Sequence, residues 1–232
     1  MIHTTDTGSL RVVTVDRPSR RNALRPVDLD DLEAAVADTD AAVVYLHGAG
    51  DAFCAGADLD VVADLEDPAA FARHGQRVAD AIETAESVVV AGVNGAARGG
   101  GVELALACDL RIATPAATFA EPGVQFGLFG AWGGTARLPR ALCEGDALDF
   151  ALSGRVVDAA EAKRIGLVSR VVADPREVAE EVAANEPDAL AVVKARMRDD
   201  APREQQERAE AAAFERLVRA HAADIAADRE RE

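Results

Sequence analysis

An α/β fold that closes in a helical C-terminal region is predicted, on three observations. Short apolar, β-branched runs are followed by turn residues and then by helix-forming stretches, and these strand-turn-helix units recur at intervals of about 45 residues without a sequence repeat. From residue 187 the chain reads as helix with one break near Pro202. With 232 residues, 49% of them hydrophobic and 28% charged, the chain is long enough for one well-buried core and too apolar to be disordered. No linker composition marks independent domains, so residues 1–186 are expected to form the core and 187–232 the helical region.

In chain order, residues 9–16 alternate enough to form a first strand, ended by Arg17-Pro18-Ser19 because proline cannot donate to a ladder. Val27, Leu29, Leu32 and Val36 follow a helical period. Residues 42–46 form a short apolar strand, and Gly48, Gly50 and Asp51 behind it demand turn geometry. A second turn-to-helix transition falls at residues 54–58. Asp67-Pro68 places an N-cap acceptor before a proline at the first helical position, so a helix opens there and runs to about Glu86. Residues 88–93 are apolar and nearly all β-branched, as a strand buried on both faces requires. They lead through Asn94 and three consecutive glycines, 99–101, into helix-forming residues 102–107. Short strands at 110–113 and 118–120 flank Pro115. Beyond a glycine-rich stretch, 123–134, come an Arg/Leu-bearing segment at 135–142, short helices at 147–152 and 159–165, a strand at 168–172 and a helix at 175–184.

Forty-one acidic against 25 basic residues leave a formal charge of -16. Such a field repels nucleic acid and anionic membrane, and both are excluded as general partners. No apolar run approaches the ~18 residues of a membrane span, and the N-terminus lacks a basic region joined to an apolar one. A soluble, cytoplasmic protein is therefore expected. Cys54, Cys108 and Cys143 have no paired or metal-ligand spacing, so they are expected to be reduced and mostly buried. His3, His47, His74 and His221 show no ligand spacing and flank no serine elbow, so neither a metal nor a Ser-His-Asp site is expected. Only Lys163 and Lys194 are lysines, which leaves 23 arginines to supply any local anion-binding patch.

The segment 93–107 carries the most chemistry. A buried strand that ends in glycines and becomes a helix presents uncovered N–H groups at the positive helix end, where an oxyanion fits. Glycine permits the close backbone approach that a β-carbon blocks, although a tight turn alone would use the same residues. With neither GxGxxG nor a P-loop lysine, nucleotide cradles lose their support. Gly56-Ala57-Asp58 offers a second set of amides, and two N–H groups on one oxygen stabilise an enolate by several kcal/mol. Asp58 can instead cap its helix. Glu103, in the first turn after the glycines and among apolar neighbours, suits a general base or a holder of water, or a helix-dipole partner. Glu121, before Pro122 and Gly123, is a candidate second carboxylate. Arg98 can meet a ligand anion or pair with a nearby acid, the second being favoured. Trp132, Phe126 and Phe129 can wall a pocket or anchor a loop in the core, again with the second favoured.

Several stretches in order resemble the enoyl-CoA hydratase/isomerase (crotonase) superfamily over about residues 10–194. They are Arg17-Pro18 through Asn22-Ala23-Leu24, Ala52-Phe53-Cys54-Ala55-Gly56-Ala57-Asp58-Leu59, and Val93-Asn94-Gly95 through Gly99-Gly100-Gly101-Val102-Glu103-Leu104-Ala105. Gly133-Gly134-Thr135 with Arg137-Leu138-Pro139-Arg140, and Ala159-Ala160-Glu161-Ala162 through Gly166-Leu167-Val168, complete the set. The resemblance implies a spiral of ββα units, assembled as a homotrimer or homohexamer in which the C-terminal helices take part. It implies a coenzyme A thioester as substrate, no separate cofactor, and an oxyanion hole of the Ala57 and Gly100 amides with Glu103 beside it. Coenzyme A contacts are implied at Arg20, Arg21, Ala55, Gly56 and Asp58, with Gly99, Gly123 and Trp132 also at the substrate site.

Hydratases of this superfamily use two glutamates. The first matches Glu103, and the second aligns onto Gly123, which has no side chain. An enoyl-CoA hydratase-like lyase with one retained glutamate is expected, its hydration impaired unless Glu121 substitutes for the second. Decarboxylation, thioester hydrolysis and acyl-CoA binding without turnover stand as alternatives. The superfamily's terminal segment, aromatic and basic, helps cover coenzyme A; here the chain stops at Glu232 without it, so weaker or more open coenzyme A binding is expected. The excess of acidic residues predicts a thermal midpoint that rises from low to molar KCl, because screening relieves self-repulsion, whereas a flat midpoint would show no salt requirement.

Overall fold

β1 (Ile2–Thr7) and β2 (Leu10–Val15) form an antiparallel hairpin at the start of a computed structural model that describes residues 1–229; Glu232 lies outside them. The turn between the strands is made at Gly8, φ 59°, a conformation that costs glycine nothing. Sequence reading misses β1 because Ile2–Thr7 is almost wholly polar and mostly exposed, an edge strand held by its ladder alone. After α1 (Pro26–Ala37) the chain enters β3 (Val43–Gly48), parallel to β2, and then turns into β4 (Ala52–Cys54). α2 (Leu59–Ala63) and α3 (Pro68–Thr84) follow.

Two further turns repeat the scheme. β5 (Val88–Val93) leads into β6 (Ala96–Arg98) and α4 (Gly100–Ala107), and β7 (Leu110–Ala113) leads into β8 (Thr118–Ala120), a single-turn helix at Pro122–Phe126 and α5 (Gly134–Ala141). α6 (Glu144–Ser153), β9 (Val157–Asp158), α7 (Ala159–Arg164), β10 (Arg170–Val171) and α8 (Pro175–Ala183) close this part. The six-stranded sheet runs β1-β2-β3-β5-β7-β10 and the four-stranded sheet β4-β6-β8-β9. Each of three successive turns thus gives its first strand to the large sheet and its second to the small one. The result is the spiral of ββα units, with a helical C-terminal region, expected from the resemblance. First strands begin at residues 43, 88 and 110, so the interval of about 45 residues holds for one step only. The second step is shorter because α4 stands where α2 and α3 together fill the preceding turn.

β5 is buried at every position, with β3 paired on one side and β7 on the other. Phe53, Phe119 and Phe150 are the largest fully buried side chains, and each contributes about 1.5–3 kcal/mol of burial. Cys54 and Cys108 belong to the core, but Cys143 is exposed at the start of α6, contrary to expectation for that one thiol.

The Arg-Pro…Asn-Ala-Leu stretch acquires a physical meaning. Asn22, φ 60° and fully buried, accepts from the Arg17 amide at 2.9 Å and donates Nδ2–H to the Ala52 and Ala49 carbonyls at 2.8 and 2.9 Å. The Leu24 amide then donates to the Gly56 carbonyl at 2.8 Å, and the Asp58 amide to the Leu24 carbonyl at 2.9 Å. The segment 17–24 is thereby laced to the loop after β4.

Two compact units divide the chain, Met1–Ala184 and the residues from Asn185 onward. The division falls slightly ahead of the 186/187 boundary read from sequence, since Glu186 already serves as the N-cap residue of α9 (Pro187–Met197). The second unit pairs α9 with α10 (Arg203–Arg229), which is kinked at His221. His221 Nε2 lies 2.9 Å from the Asp188 carboxylate. Among the described residues no helix is long and apolar enough to cross a membrane.

Candidate active site

Sequence alone leaves open whether the two glycine-bearing loops meet; the fold brings them together backbone to backbone. Gly56, φ 81°, is packed so closely on the second loop that a Cβ would sit 2.6 Å from the Arg98 carbonyl oxygen and 2.8 Å from the Gly100 nitrogen. Gly101 packs in the same way on the Cys54 carbonyl. Ala57 forms a parallel bridge with Leu24 in which Gly56 and Asp58 make the hydrogen bonds, so the Ala57 N–H faces the opposite side, toward the cavity that Ala57 lines. Gly100 is the first residue of α4, where an N–H has no partner within its helix. Ala57 and Gly100 thus line one cavity together.

Glu103 is 1% exposed, one turn into α4. Its Oε1 accepts from the Gly134 amide at 2.6 Å and the Trp132 amide at 2.9 Å. Gly130 and Gly134 leave room for this carboxylate: a Cβ on either would stand 2.7 Å from a Glu103 side-chain atom. Burial pushes the Glu103 pKa up, while the two amides and the charge of Arg137 oppose the rise. Arg137, itself buried, is anchored on Glu83 and Asp80 at 2.7 Å each and donates to the Trp132 carbonyl. This clamp was missed from sequence; its one visible signal is the Trp-Gly-Gly run at the start of α5.

Glu121, 6% exposed, directly follows β8 and precedes the helix at Pro122–Phe126. Among the described residues neither of its carboxylate oxygens has a hydrogen-bond partner. Its pKa is pushed up to about 8, first by burial and then by the charge of Glu103. Gly123 is roofed by backbone: a Cβ would lie 3.0 Å from the Phe129 Cα and 3.1 Å from the Leu128 carbonyl.

These groups share one cavity of about 290 Å³. Ala55, Ala57, Arg98, Gly99, Gly100, Glu103, Glu121, Gly123 and Trp132 line it, with Leu59, Val62, Leu65 and Phe71 as an apolar wall contributed by α2, α3 and the loop between them. Trp132 is 3% exposed, its indole wedged against Gly75 and Gly100 and edge-on to Phe71 with ring centroids 5.8 Å apart. It anchors a loop and walls the pocket at once. Phe126 and Phe129, expected as core anchors, are instead 65% and 66% exposed where they line the cavity.

Other expected residues lie outside the lining. Asp58 is buried with both oxygens occupied, by the Arg17 guanidinium at 2.6 Å, Arg20 at 3.3 Å and the Asp60 amide at 3.1 Å, and serves as N-cap of α2. Its carboxylate faces arginines rather than ligand. Arg20 is committed to Asp58 and Asp60. Gly56 acts through its packing. Arg21, φ 51° and exposed, stands near enough to Arg98 to depress its pKa after burial has done so. Arg98 donates to the Thr118 carbonyl at 2.7 Å and Oγ1 at 3.0 Å, not to an acid, which corrects the favoured expectation. Two clusters combine a histidine with carboxylates, Asp30–Glu33–His74 and Glu186–Asp188–His221, and neither lines the cavity. Arg77 pairs with Asp30 and Glu33, so the first reads as an ion-pair cluster.

Residues 5–226 match the sequence model of the enoyl-CoA hydratase/isomerase family, and the chain belongs to that family, within the crotonase superfamily. It is 42% identical over 180 residues to a crotonyl-CoA hydratase of Syntrophomonas wolfei, covering 75% of this chain and 69% of that one. It is 36% identical over 200 residues to a short-chain-enoyl-CoA hydratase of Clostridium acetobutylicum, covering 81% and 77%. Its fold superposes on an enoyl-CoA hydratase of Bacillus anthracis with a TM-score of 0.92 at 30% identity, covering 100% of this chain and 96% of that one.

A buried carboxyl that keeps its proton to about pH 8 leaves the native state binding more protons than the unfolded state above the ordinary glutamate value, so stability falls as pH rises through that window. Glu103 contributes with the same sign. Denaturant titrations between about pH 5 and 8 should show the decline, and Glu121→Gln should flatten it; equal slopes for both proteins would contradict the assignment.

Proposed function

We propose that the chain binds an acyl-CoA thioester and catalyses addition of water to a 2-enoyl-CoA, or its reverse, as an enoyl-CoA hydratase-like lyase of fatty acid metabolism. The observation that supports this reading is the placement of Glu103, fixed by two backbone amides, in the cavity that Ala57 and Gly100 also line. Hydration builds negative charge on the thioester oxygen as water attacks the β-carbon. Two preorganised N–H groups stabilise that charge more than the neutral carbonyl, which lowers the barrier; one such donor contributes about 10²–10³ in rate.

Glu103 acts as base on the attacking water. The clamp on Oε1 fixes the carboxylate in one orientation, and the apolar wall of Leu59, Val62 and Phe71 receives the acyl chain and keeps other water out. On the coenzyme A side the cation in this reading is Arg21, exposed and near Arg98, since Arg20 is paired with two carboxylates. Ala55 lines the approach. In this reading the protein works in the cytoplasm as a homotrimer or homohexamer, with the C-terminal helices contributing to assembly.

Gly123 favours a second reading, acyl-CoA binding with decarboxylation, thioester hydrolysis or no turnover. Crotonyl-CoA separates the two. The conjugated-thioester absorbance should fall with the wild-type protein, and Glu103→Gln should lower kcat by about 10²–10⁴ while substrate affinity changes only a few-fold. Turnover unaffected by that substitution would remove Glu103 from its role.

A further inference from the structure

We infer that Glu121 is the second catalytic carboxylate of this chain, a proton donor to the substrate α-carbon that reaches the cavity from two positions upstream of Gly123. The inference rests on the hydratase reading above and deepens it. Gly123 cannot serve, and the structure shows more than a missing side chain. The Leu128–Phe129 backbone packs over Gly123, so a side chain there would need that backbone to give by a few tenths of an ångström. Glu121, at the turn into Pro122–Phe126, is instead buried and lines the cavity together with Glu103.

The environments of the two carboxylates differ in a way that divides their roles. Glu103 has two amide donors and the field of Arg137, all of which favour the anion. Glu121 has none of these. The ionisable groups around it are Glu103 of α4, which repels a second negative charge, and Arg98 of β6, which is turned onto Thr118. On the elements packed against its segment, Asp158 of β9 caps α7, while Glu161 of α7 and Asp149 of α6 are held by Arg155. Of two adjacent buried carboxyls, the proton resides on the one with no donors. Glu121 is thus the acid and Glu103 the base.

The step balances without an oxidant or a further reactant. Water oxygen bonds to the β-carbon as Glu103 removes one water proton, and the π-electron pair moves to the enolate that the Ala57 and Gly100 amides hold. The Glu121 O–H bond then breaks and its proton bonds to the α-carbon. Exchange with solvent returns the proton from Glu103 to Glu121, and the net change is one water added.

The test follows crotonyl-CoA hydration by full-length wild type, Glu121→Gln and Glu103→Gln across pH. Wild-type kcat/KM should decline as pH rises through about 8, where the donor loses its proton. Glu121→Gln should lose at least about 100-fold in kcat, retain substrate affinity within a few-fold and show no such limb in its residual rate. Difference infrared spectra of the wild type alone should contain a protonated carboxyl band at pH 7 that bleaches near pH 8, which keeps the test independent of how the variant folds. A Glu121→Gln protein with wild-type turnover and pH limb, or absence of the carboxyl band, overturns the role of Glu121 while leaving the hydratase reading intact. Wild type inert toward every 2-enoyl-CoA overturns both.

Discussion

Everything at this site depends on two backbones touching. The loop at residues 54–58 and the entry to α4 approach until no atom fits between Gly56 and Gly100 or between Gly101 and the Cys54 carbonyl. Side chains would hold these segments apart by several tenths of an ångström or more, and Ala57 and Gly100 would be drawn away from each other. The contact is held from behind by Asn22, which ties the 17–24 segment to the loop entering β4, and by the Leu24 bridge that sets the direction of Ala57. The architecture supplies the rest: first strands of each turn go to the large sheet, second strands to the small one, and the small sheet delivers both loops to the same place.

A second layer of constraint acts on charge. A carboxylate buried as deeply as Glu103 carries a desolvation penalty of several kcal/mol unless donors answer it. The Gly130–Gly134 loop answers it on one oxygen, and Arg137 secures that loop through the Trp132 carbonyl. Glu121 has no such donors among the described residues, and burial pushes its pKa up to about 8. In the mechanism proposed above, that contrast divides the labour of the two carboxyls by where backbone amides point rather than by residue type.

How much of this could be read from the sequence varies with the range of the interaction. The strands at 88–93 and 110–113 and the helix opened by Asp67-Pro68 follow from local pattern and are found where expected. β1, β4 and β6 are short or polar and exist only because a neighbour pairs with them, so no local pattern announces them. The glycine triplet at 99–101 and Glu103 mark the site, yet its meeting with the Gly56 loop some 40 residues earlier is a tertiary fact. The resemblance places an acid at Gly123 and cannot say that Glu121 turns inward. Asp58 shows the local side of the same reading: the helix cap that its position before α2 suggests is found, with Arg17 and Arg20 on the same carboxylate.

The central claim is that the Ala57 and Gly100 amides polarise a thioester carbonyl. Carbon-13 NMR of an unreactive saturated acyl-CoA, labelled at the thioester carbon and bound to saturation, reads this directly. Hydrogen bonding from two amides predicts a downfield displacement of that resonance on binding, reduced in Gly56→Ala, where the added methyl separates the loops. A bound resonance that coincides with that of free thioester would contradict the claim.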